Sequence, residues 1–199
     1  MVAIEIEKID GRRARGLRTR DAIVSALLDL VAAGDVAPTA QRIADRAGVS
    51  VRSLYQHFAD VEGLYSDAAQ RTYEWVQETA KEIDTALPLV KRVDLFVDSR
   101  TRALEALLPL HRAVRLMEPN SDRMRAARMA IEAWEKDRVA KVFAPELRAK
   151  GAASRSAAVA VIDLLASAES WDRLRRHGRS VRAARQALRS GILSLLAQE

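Results

Sequence analysis

The sequence predicts an all-α protein of about nine helices. Glycine and proline are scarce, with eight and five residues among 199, and apolar residues recur at helical spacing along nearly the whole chain. Apolar residues make up 49% of the chain, which is enough to build a core in one large domain or two small ones. The helices can be placed in order because glycine, proline and capping residues separate the apolar stretches.

The first helix is expected over residues 19–33, where one face is apolar and Gly34 provides the end. Residues 1–18 lack this periodicity, so we expect a flexible arm there. The arm is basic, with Arg12, Arg13, Arg15 and Arg18, and such arms can enter a minor groove of DNA. The alternative for these arginines is a solubilising tail without a partner.

Residues 39–64 spell two short helices joined by a glycine turn. Thr39 is a good N-cap for the first of them, and Gly48 lies where a helix ends in the left-handed conformation. Ser50 then caps a second helix of roughly seven residues that buries Leu54. This is the layout of a helix-turn-helix, in which the second helix enters the major groove.

The exposed positions of that second helix carry side chains suited to DNA. Arg52 is the one able to bond guanine O6 and N7 in a bidentate manner, and Gln56 can bond bases or phosphates. The alternative for both is an ordinary solvated helix face. The full set of candidate DNA-binding residues is Arg12, Arg13, Arg15, Thr39, Gln41, Ser50, Val51, Arg52, Ser53, Tyr55, Gln56 and His57.

This stretch resembles the TetR family of bacterial repressors. The matching residues are Ile43-Ala44, Ala47-Gly48-Val49-Ser50, Leu54-Tyr55, His57-Phe58 and Leu64, and the likeness extends over residues 19–66. The resemblance implies a homodimer on a near-palindromic operator, released by a small molecule. It also implies that Tyr55 and His57 hold the DNA backbone, although Tyr55 could instead pack under the fourth helix and His57 could cap and pack.

The resemblance divides the chain into a basic arm at 1–18, a helix-turn-helix domain at 19–64, and a ligand-binding and dimerisation domain at 65–199. The chain departs from the family at Val61, where members usually have a lysine that meets a phosphate. One phosphate contact per half-site is therefore expected to be missing, and Asp60 and Glu62 beside Val61 are expected to add local repulsion.

Six further helices are expected after the motif. The fourth is capped by Asp60 and runs to about Ile83, and the fifth begins at Pro88 and is broken by Pro109. A short sixth helix covers residues 111–118, and a seventh runs from residue 121 until Pro145 ends it. The last two, at about 153–176 and 180–197, form an antiparallel hairpin.

In the family the last two helices pair with those of a second copy as a four-helix bundle. The apolar candidates for this dimer interface are Leu164, Leu165, Ala168, Trp171, Leu174, Leu188, Ile192 and Leu195, and the alternative is burial within the monomer. Seven arginines on the same hairpin are expected to be solvated or paired with acids rather than to form a second nucleic-acid surface.

The family encloses an effector pocket between the fourth and eighth helices. Large and polarisable side chains suit an apolar ligand, and the candidates are Trp75, Phe96, Arg100, His111, Met117, Met124 and Trp134. Core packing is the alternative for each. Arg100 lies on an apolar stripe and therefore needs an anion, either Glu118 or Glu132 or a ligand carboxylate. Glu132 and Glu135 are expected to form a solvated face.

Composition argues against several other classes. The chain has no cysteine, its three histidines lack metal-site spacing, and no catalytic motif occurs, so we expect no cofactor, no metal and no enzyme. No apolar run is long enough for a membrane span, and we expect a cytoplasmic protein. The net charge of +6 favours a polyanionic partner.

Two other functions remain open. One is a DNA-binding regulator or activator that needs no ligand, which a fully packed helical core would favour. The other is an all-helical small-molecule-binding protein or enzyme with a vestigial helix-turn-helix, which absent or salt-insensitive DNA binding would favour.

Overall fold

The computed structural model describes the backbone of residues 2–197, and in that range it contains α-helices and no strand. Side chains are described for the same range except residues 2–10, 12 and 120. The all-α prediction is therefore confirmed. The helices are α1 (Val2–Ala32), α2 (Ala40–Ala47), α3 (Val51–His57), α4 (Val61–Thr79), α5 (Leu89–Met117), α6 (Asp122–Val142), α7 (Ala144–Arg148), α8 (Ala152–Leu165), α9 (Ala168–Arg176) and α10 (Val181–Leu196), with a 3-10 turn at Glu118–Asn120.

The chain forms two compact units, each assembled from two segments. The first unit contains the chain up to Thr72 together with Pro109–Ala127, and the second contains Tyr73–Leu108 and the chain from Arg128 onward. The first unit therefore holds the predicted helix-turn-helix, and it also takes up the end of α5 and the start of α6.

The first unit has one apolar core that six helices build. Leu27, Ile43, Leu54 and Leu64 of the first four helices are all fully buried in it. Met124 of α6 is 3% exposed and closes the same core. Burial of these side chains fixes α3 against its neighbours, because a helix of seven residues would be unstable alone.

Local capping sets the ends of α2 and α3 as the sequence predicts. The Thr39 hydroxyl accepts from the Arg42 N–H at 3.3 Å, and the Ser50 hydroxyl accepts from the Ser53 N–H at 3.1 Å. Gly48 ends α2 with φ at 68°, in the left-handed region. The residues that cap the two helices of the helix-turn-helix thus act on backbone groups only a few positions away in the chain.

Gly48→Ala tests the turn between α2 and α3. No heavy atom lies within 4 Å of a Cβ placed at residue 48, so only the positive φ opposes the substitution. We expect a loss of about 1–2 kcal/mol in the free energy of unfolding, measured by urea denaturation. Gly11→Ala is the control, because its Cβ also meets nothing and no left-handed backbone opposes it. Equal effects at the two positions would contradict this explanation.

The first helix is longer than the sequence predicts. It begins at Val2 rather than at residue 19, and within it Arg15 Nε donates to the Gly11 carbonyl at 3.3 Å. The apolar face from Ile23 onward anchors α1 in the first core. Alanine and arginine are good helix formers, so the helix can extend toward the N-terminus without apolar periodicity.

The prediction that Pro109 breaks the fifth helix is wrong, because α5 runs through it to Met117. Proline removes one helical hydrogen bond, but the burial of Leu108 in the second unit and Leu110 in the first favours continuation. Pro145 lies in the first turn of a separate helix, α7, which the sequence pattern missed.

The predicted helix at 153–176 is two helices in the structure. α8 ends at Leu165, and the Ser167 hydroxyl accepts from the Ser170 N–H at 3.1 Å to cap α9. The fourth helix also ends earlier than predicted, at Thr79, although Ile83 beyond it is buried in the second unit. Both errors arise because apolar spacing continues across a bend.

Candidate nucleic-acid interface and helical pocket

The short helix α3 is held by one buried side and presents polar side chains on the other. Leu54 is fully buried and Val51 packs against the same core, whereas Arg52 and Gln56 are exposed. Tyr55 is 48% exposed, so its ring is not packed under α4. The exposed side therefore combines one guanidinium, one amide and one phenol, all of which can bond bases or phosphates.

Arg52 has no hydrogen bond or ion pair among the residues that the structure describes. Neighbouring arginines of this unit behave differently, since Arg42 pairs with Asp35 at 2.9 Å and Arg46 pairs with Asp29 at 2.7 Å. All five N–H donors of Arg52 are thus available to another molecule.

Other predicted DNA-binding residues have internal partners. Thr39 and Ser50 accept backbone N–H groups as caps, and each hydroxyl keeps its hydrogen for a phosphate. Gln41 Nε2 donates to Asp45 Oδ1 at 2.7 Å. Arg13 and Arg15 are exposed, Ser53 and His57 are half-buried, and the side chain of Arg12 lies outside those described. Their DNA contacts stay predictions.

Arg20 plays a structural role that sequence reasoning missed. Its guanidinium donates to the His57 carbonyl at 3.0 Å and to Asp67 Oδ1 at 2.8 Å, and it lies 4.3 Å from the centre of the Phe58 ring. Arg20 of α1 therefore ties the end of α3 to α4. The partners lie 37 and 47 residues away, so no local pattern reveals them.

Arg20→Met should loosen this attachment of α3. The variant keeps the apolar stem but loses the bonds to Asp67 and the His57 carbonyl, and we expect a loss of about 1–2 kcal/mol in unfolding free energy because the side chain is partly exposed. Urea denaturation measures this loss, and Arg18→Met, at an exposed position, is the control. A variant as stable as the wild type would show that the attachment contributes nothing.

The start of α4 is less repulsive to anions than the sequence suggests. Val61 is half-buried against the first core, Asp60 Oδ1 accepts the Gly63 N–H at 2.6 Å, and Glu62 Oε1 accepts the Ser121 hydroxyl at 2.5 Å. Both carboxylates therefore have donors that partly satisfy their charge.

The second unit contains a narrow pocket lined by charged side chains on apolar walls. The lining residues are Phe96, Arg100, Glu135, Arg138, Val139, Asp163 and Ala166. Arg100 forms a two-pronged ion pair with Glu135, and its Nε donates to the Ala166 carbonyl at 2.7 Å. The anion that Arg100 needs is therefore Glu135, and neither Glu118 nor Glu132.

Burial controls the electrostatics of this pocket. Desolvation raises the pKa of Glu135 above its usual value, and the ion pair with Arg100 lowers it only in part. Arg138 lies over the Phe96 ring at 5.4 Å, and burial lowers the pKa of its guanidinium. Desolvation also raises the pKa of Asp163. Glu135 is 15% exposed, so the prediction that it belongs to a solvated face is wrong.

The predicted effector residues are divided between the two units. Phe96 and Arg100 line the pocket, and Trp134 stands edge-on to Tyr73 at 5.8 Å between ring centres. Trp75 is 43% exposed. The remaining three candidates belong to the first unit, where Met124 is core and Met117 packs against it; they are His111, Met117 and Met124.

The predicted dimer residues differ in exposure. Trp171, Leu188 and Ile192 are at most 3% exposed, so these three are buried within the monomer, the alternative that the sequence left open. Leu164 is 63% exposed and Val161 beside it is 39% exposed. The other four candidates are half-buried, namely Leu165, Ala168, Leu174 and Leu195. Ala168 and Leu174 pack against the cluster that contains Trp171. Four of the hairpin arginines pair with acids, namely Arg175, Arg176, Arg185 and Arg189.

Two other kinds of site are not found in the described part of the chain. No group of three or more histidine, aspartate or glutamate side chains there is placed to hold a metal ion. No helix among the described residues has the length and apolar character to cross a membrane.

Comparison with known proteins supports the prediction that the first unit contains a helix-turn-helix. Residues 23–68 match the family model of bacterial regulatory proteins of the tetR family. A transcriptional regulator from Rhodococcus sp. Rha1 has a similar fold, with a TM-score of 0.71, 16% identity, and coverage of 89% of this chain and 96% of that one. A tetR-family transcriptional regulator from Streptomyces coelicolor gives a TM-score of 0.70 and 20% identity, covering 90% and 80%.

A search of the curated proteins by sequence gives no significant match. The likeness to the solved structures is one of fold, and the family match rests on the residues of α1 to α4. Together with the capped helix-turn-helix and the exposed face of α3, the match shows that residues 23–68 resemble the N-terminal helix-turn-helix of bacterial regulatory proteins of the tetR family.

Proposed function

We propose that the protein binds a near-palindromic operator as a homodimer, with α3 of each copy in the major groove. The observation that carries this proposal is the unpaired Arg52 on the exposed side of a helix anchored by Leu54. A helix held in this way offers its N-terminal residues to base edges. Two copies would read half-sites about one helical turn, roughly 34 Å, apart.

The exposed apolar residues of α8 support the homodimer. Leu164 and Val161 are 63% and 39% exposed and occupy neighbouring turns of one helix. Large apolar side chains grouped on a surface favour burial against another chain. We therefore place α8 in the interface, with α10 beside it.

We further propose that a small molecule releases the operator, so that the protein is a repressor. The pocket around Arg100 and Arg138 supports this part, because it combines the aromatic ring of Phe96 with charged groups that can anchor a ligand. The mechanism is a population shift, in which ligand binding favours a position of α4 that moves the two recognition helices out of register.

The pocket also supports a second candidate, a regulator that needs no ligand. Its walls leave room for about one water molecule, so an effector must widen it. If Arg100 and Glu135 serve only to hold the second unit together, operator affinity will not respond to any small molecule that raises thermal stability.

Fluorescence anisotropy tests the DNA-binding proposal. The protein is titrated onto DNA from upstream of its own gene and onto scrambled DNA, over a series of salt concentrations. We expect two protomers per site, a clear preference for the upstream DNA, and affinity that falls steeply with salt. Equal and weak binding to both DNAs would leave only the net charge as a cause and would favour the helical small-molecule-binding protein instead.

A further inference from the structure

We propose that Arg123, in the first turn of α6, is a second cation that contacts the DNA backbone beside α3. This inference rests on the DNA binding proposed above. Arg123 belongs to the first unit, the one that holds the helix-turn-helix, although it lies 66 residues beyond the end of α3. Arg123 therefore lies outside residues 39–64, from which the helix-turn-helix is predicted.

The start of α6 is joined to the start of α4 by one hydrogen bond and by the shared core of the first unit. The Ser121 hydroxyl accepts the Met124 N–H at 3.1 Å and donates to Glu62 Oε1 at 2.5 Å. Met124, one turn into α6, is buried in the first core. These contacts hold the first turn of α6 beside the first turn of α4.

Arg123 lies at this junction with its charge exposed. Its Nη1 is 3.7 Å from the position that a Cβ on Gly63 would occupy, and Gly63 is in the first turn of α4. In the described part of the chain Arg123 has no hydrogen bond or ion pair. Arg125 differs, because it pairs with Asp122 and donates to the carbonyls of Glu118 and Pro119.

The junction is near the place where DNA phosphates are expected. α4 begins at Val61, four residues after α3 ends at His57. When a recognition helix lies in the major groove, the segments that flank it face the sugar-phosphate backbone, and arginine is well suited to phosphate oxygens. Val61 carries no charge, and Arg123 supplies an unpaired cation at this junction among the residues that the structure describes.

The opposing explanation is that Arg123 only balances the negative charge of Asp60 and Glu62. Both carboxylates lie in the first turn of α4 or just before it, and both already accept a hydrogen bond. A balancing role would contribute to folding stability but would add nothing to the salt dependence of DNA binding. The two roles therefore predict different measurements.

The experiment measures DNA affinity against salt for the full-length wild type and Arg123→Ala. A phosphate contact contributes about 0.9 to the slope of log affinity against log salt, so we expect the slope to fall by about one unit for each protomer. The affinity at 50 mM salt should fall roughly tenfold per contact, equally on upstream and scrambled DNA. Arg123→Lys should retain most of the slope, since it keeps the charge.

Two further variants make the result decisive. Arg182→Ala removes an exposed arginine of α10 in the second unit and should leave the slope unchanged. An unchanged slope in Arg123→Ala, with or without a lower unfolding temperature, would overturn the inference.

Arg52→Ala separates the two proposals: if it removes the preference for upstream DNA while Arg123→Ala changes nothing, only the present inference fails. If the wild type binds neither DNA, both fail.

Discussion

Arg52→Ala is expected to remove most of the preference of the protein for its operator over scrambled DNA. The side chain is exposed, unpaired within the described residues, and lies in the first turn of α3, where a recognition helix reaches base edges. A bidentate contact to guanine contributes about 1–3 kcal/mol of discrimination, so the loss should be about 5- to 150-fold for each half-site. The free energy of unfolding should be unchanged, because Arg52 has no hydrogen bond or ion pair with a described residue to lose.

Anisotropy with upstream and scrambled DNA measures this effect, and Arg52→Lys is the matched control. Lysine keeps the positive charge and loses the planar fork, so the salt slope should stay near the wild-type value while the discrimination falls. A loss of affinity that is equal on both DNAs would instead make Arg52 a phosphate contact. Arg52 would then help to position α3 on the DNA but would not recognise its sequence.

The helix-turn-helix could be predicted because its signals are local. Thr39, Gly48 and Ser50 each act on backbone groups within four residues, so the chain itself displays the two helices and their turn. The buried side of α3 follows from a single residue, Leu54, at the expected spacing. The exposed side follows from the same spacing, which is why Arg52 and Gln56 could be named.

The contacts that hold the motif and line the pocket could not be predicted in this way. Arg20 meets the His57 carbonyl 37 residues away, and Arg100 meets Glu135 at a separation of 35 residues. Periodicity shows that a guanidinium lies on a buried stripe, but several acids in the sequence satisfy the same requirement. Spacing also fails at Pro109, where burial of leucines on both sides offsets the lost hydrogen bond.

The ion pair between Arg100 and Glu135 gives the largest expected change in the free energy of unfolding. Arg100→Ala leaves Glu135 in a site where its side chain is 15% exposed, with its two-pronged partner gone. It also removes the donor to the Ala166 carbonyl near the end of α8. Breaking a buried pair in this way typically costs about 3–5 kcal/mol, and we expect urea denaturation to show a loss of that size near pH 8.

This loss should depend on pH, because the carboxyl group can escape its unpaired charge by taking a proton. Burial raises the pKa of Glu135, and Arg100→Ala removes the largest opposing influence, so the folded-state pKa should rise further. When the pKa of a carboxyl group is higher in the folded state than in the unfolded state, its contribution to stability is greatest at pH values below the unfolded-state pKa. That contribution is lost as the pH rises through the folded-state pKa. The variant should therefore lose less stability at pH 5 than at pH 8.

Arg100→Ala combined with Glu135→Gln is the control, because glutamine has the same shape and no titration. The double variant should show a weaker pH dependence, because Asp163, whose pKa burial raises and Arg100 lowers, still titrates in it. The difference between the two variants therefore isolates the contribution of the Glu135 carboxyl group. If Arg100→Ala alone gives equal deficits at pH 5 and pH 8, Glu135 is solvated once its partner is lost. A pocket wall that lets water reach Glu135 so readily could also admit a ligand. A pH-dependent deficit instead means that the wall stays closed, so that an effector must break the ion pair between Arg100 and Glu135.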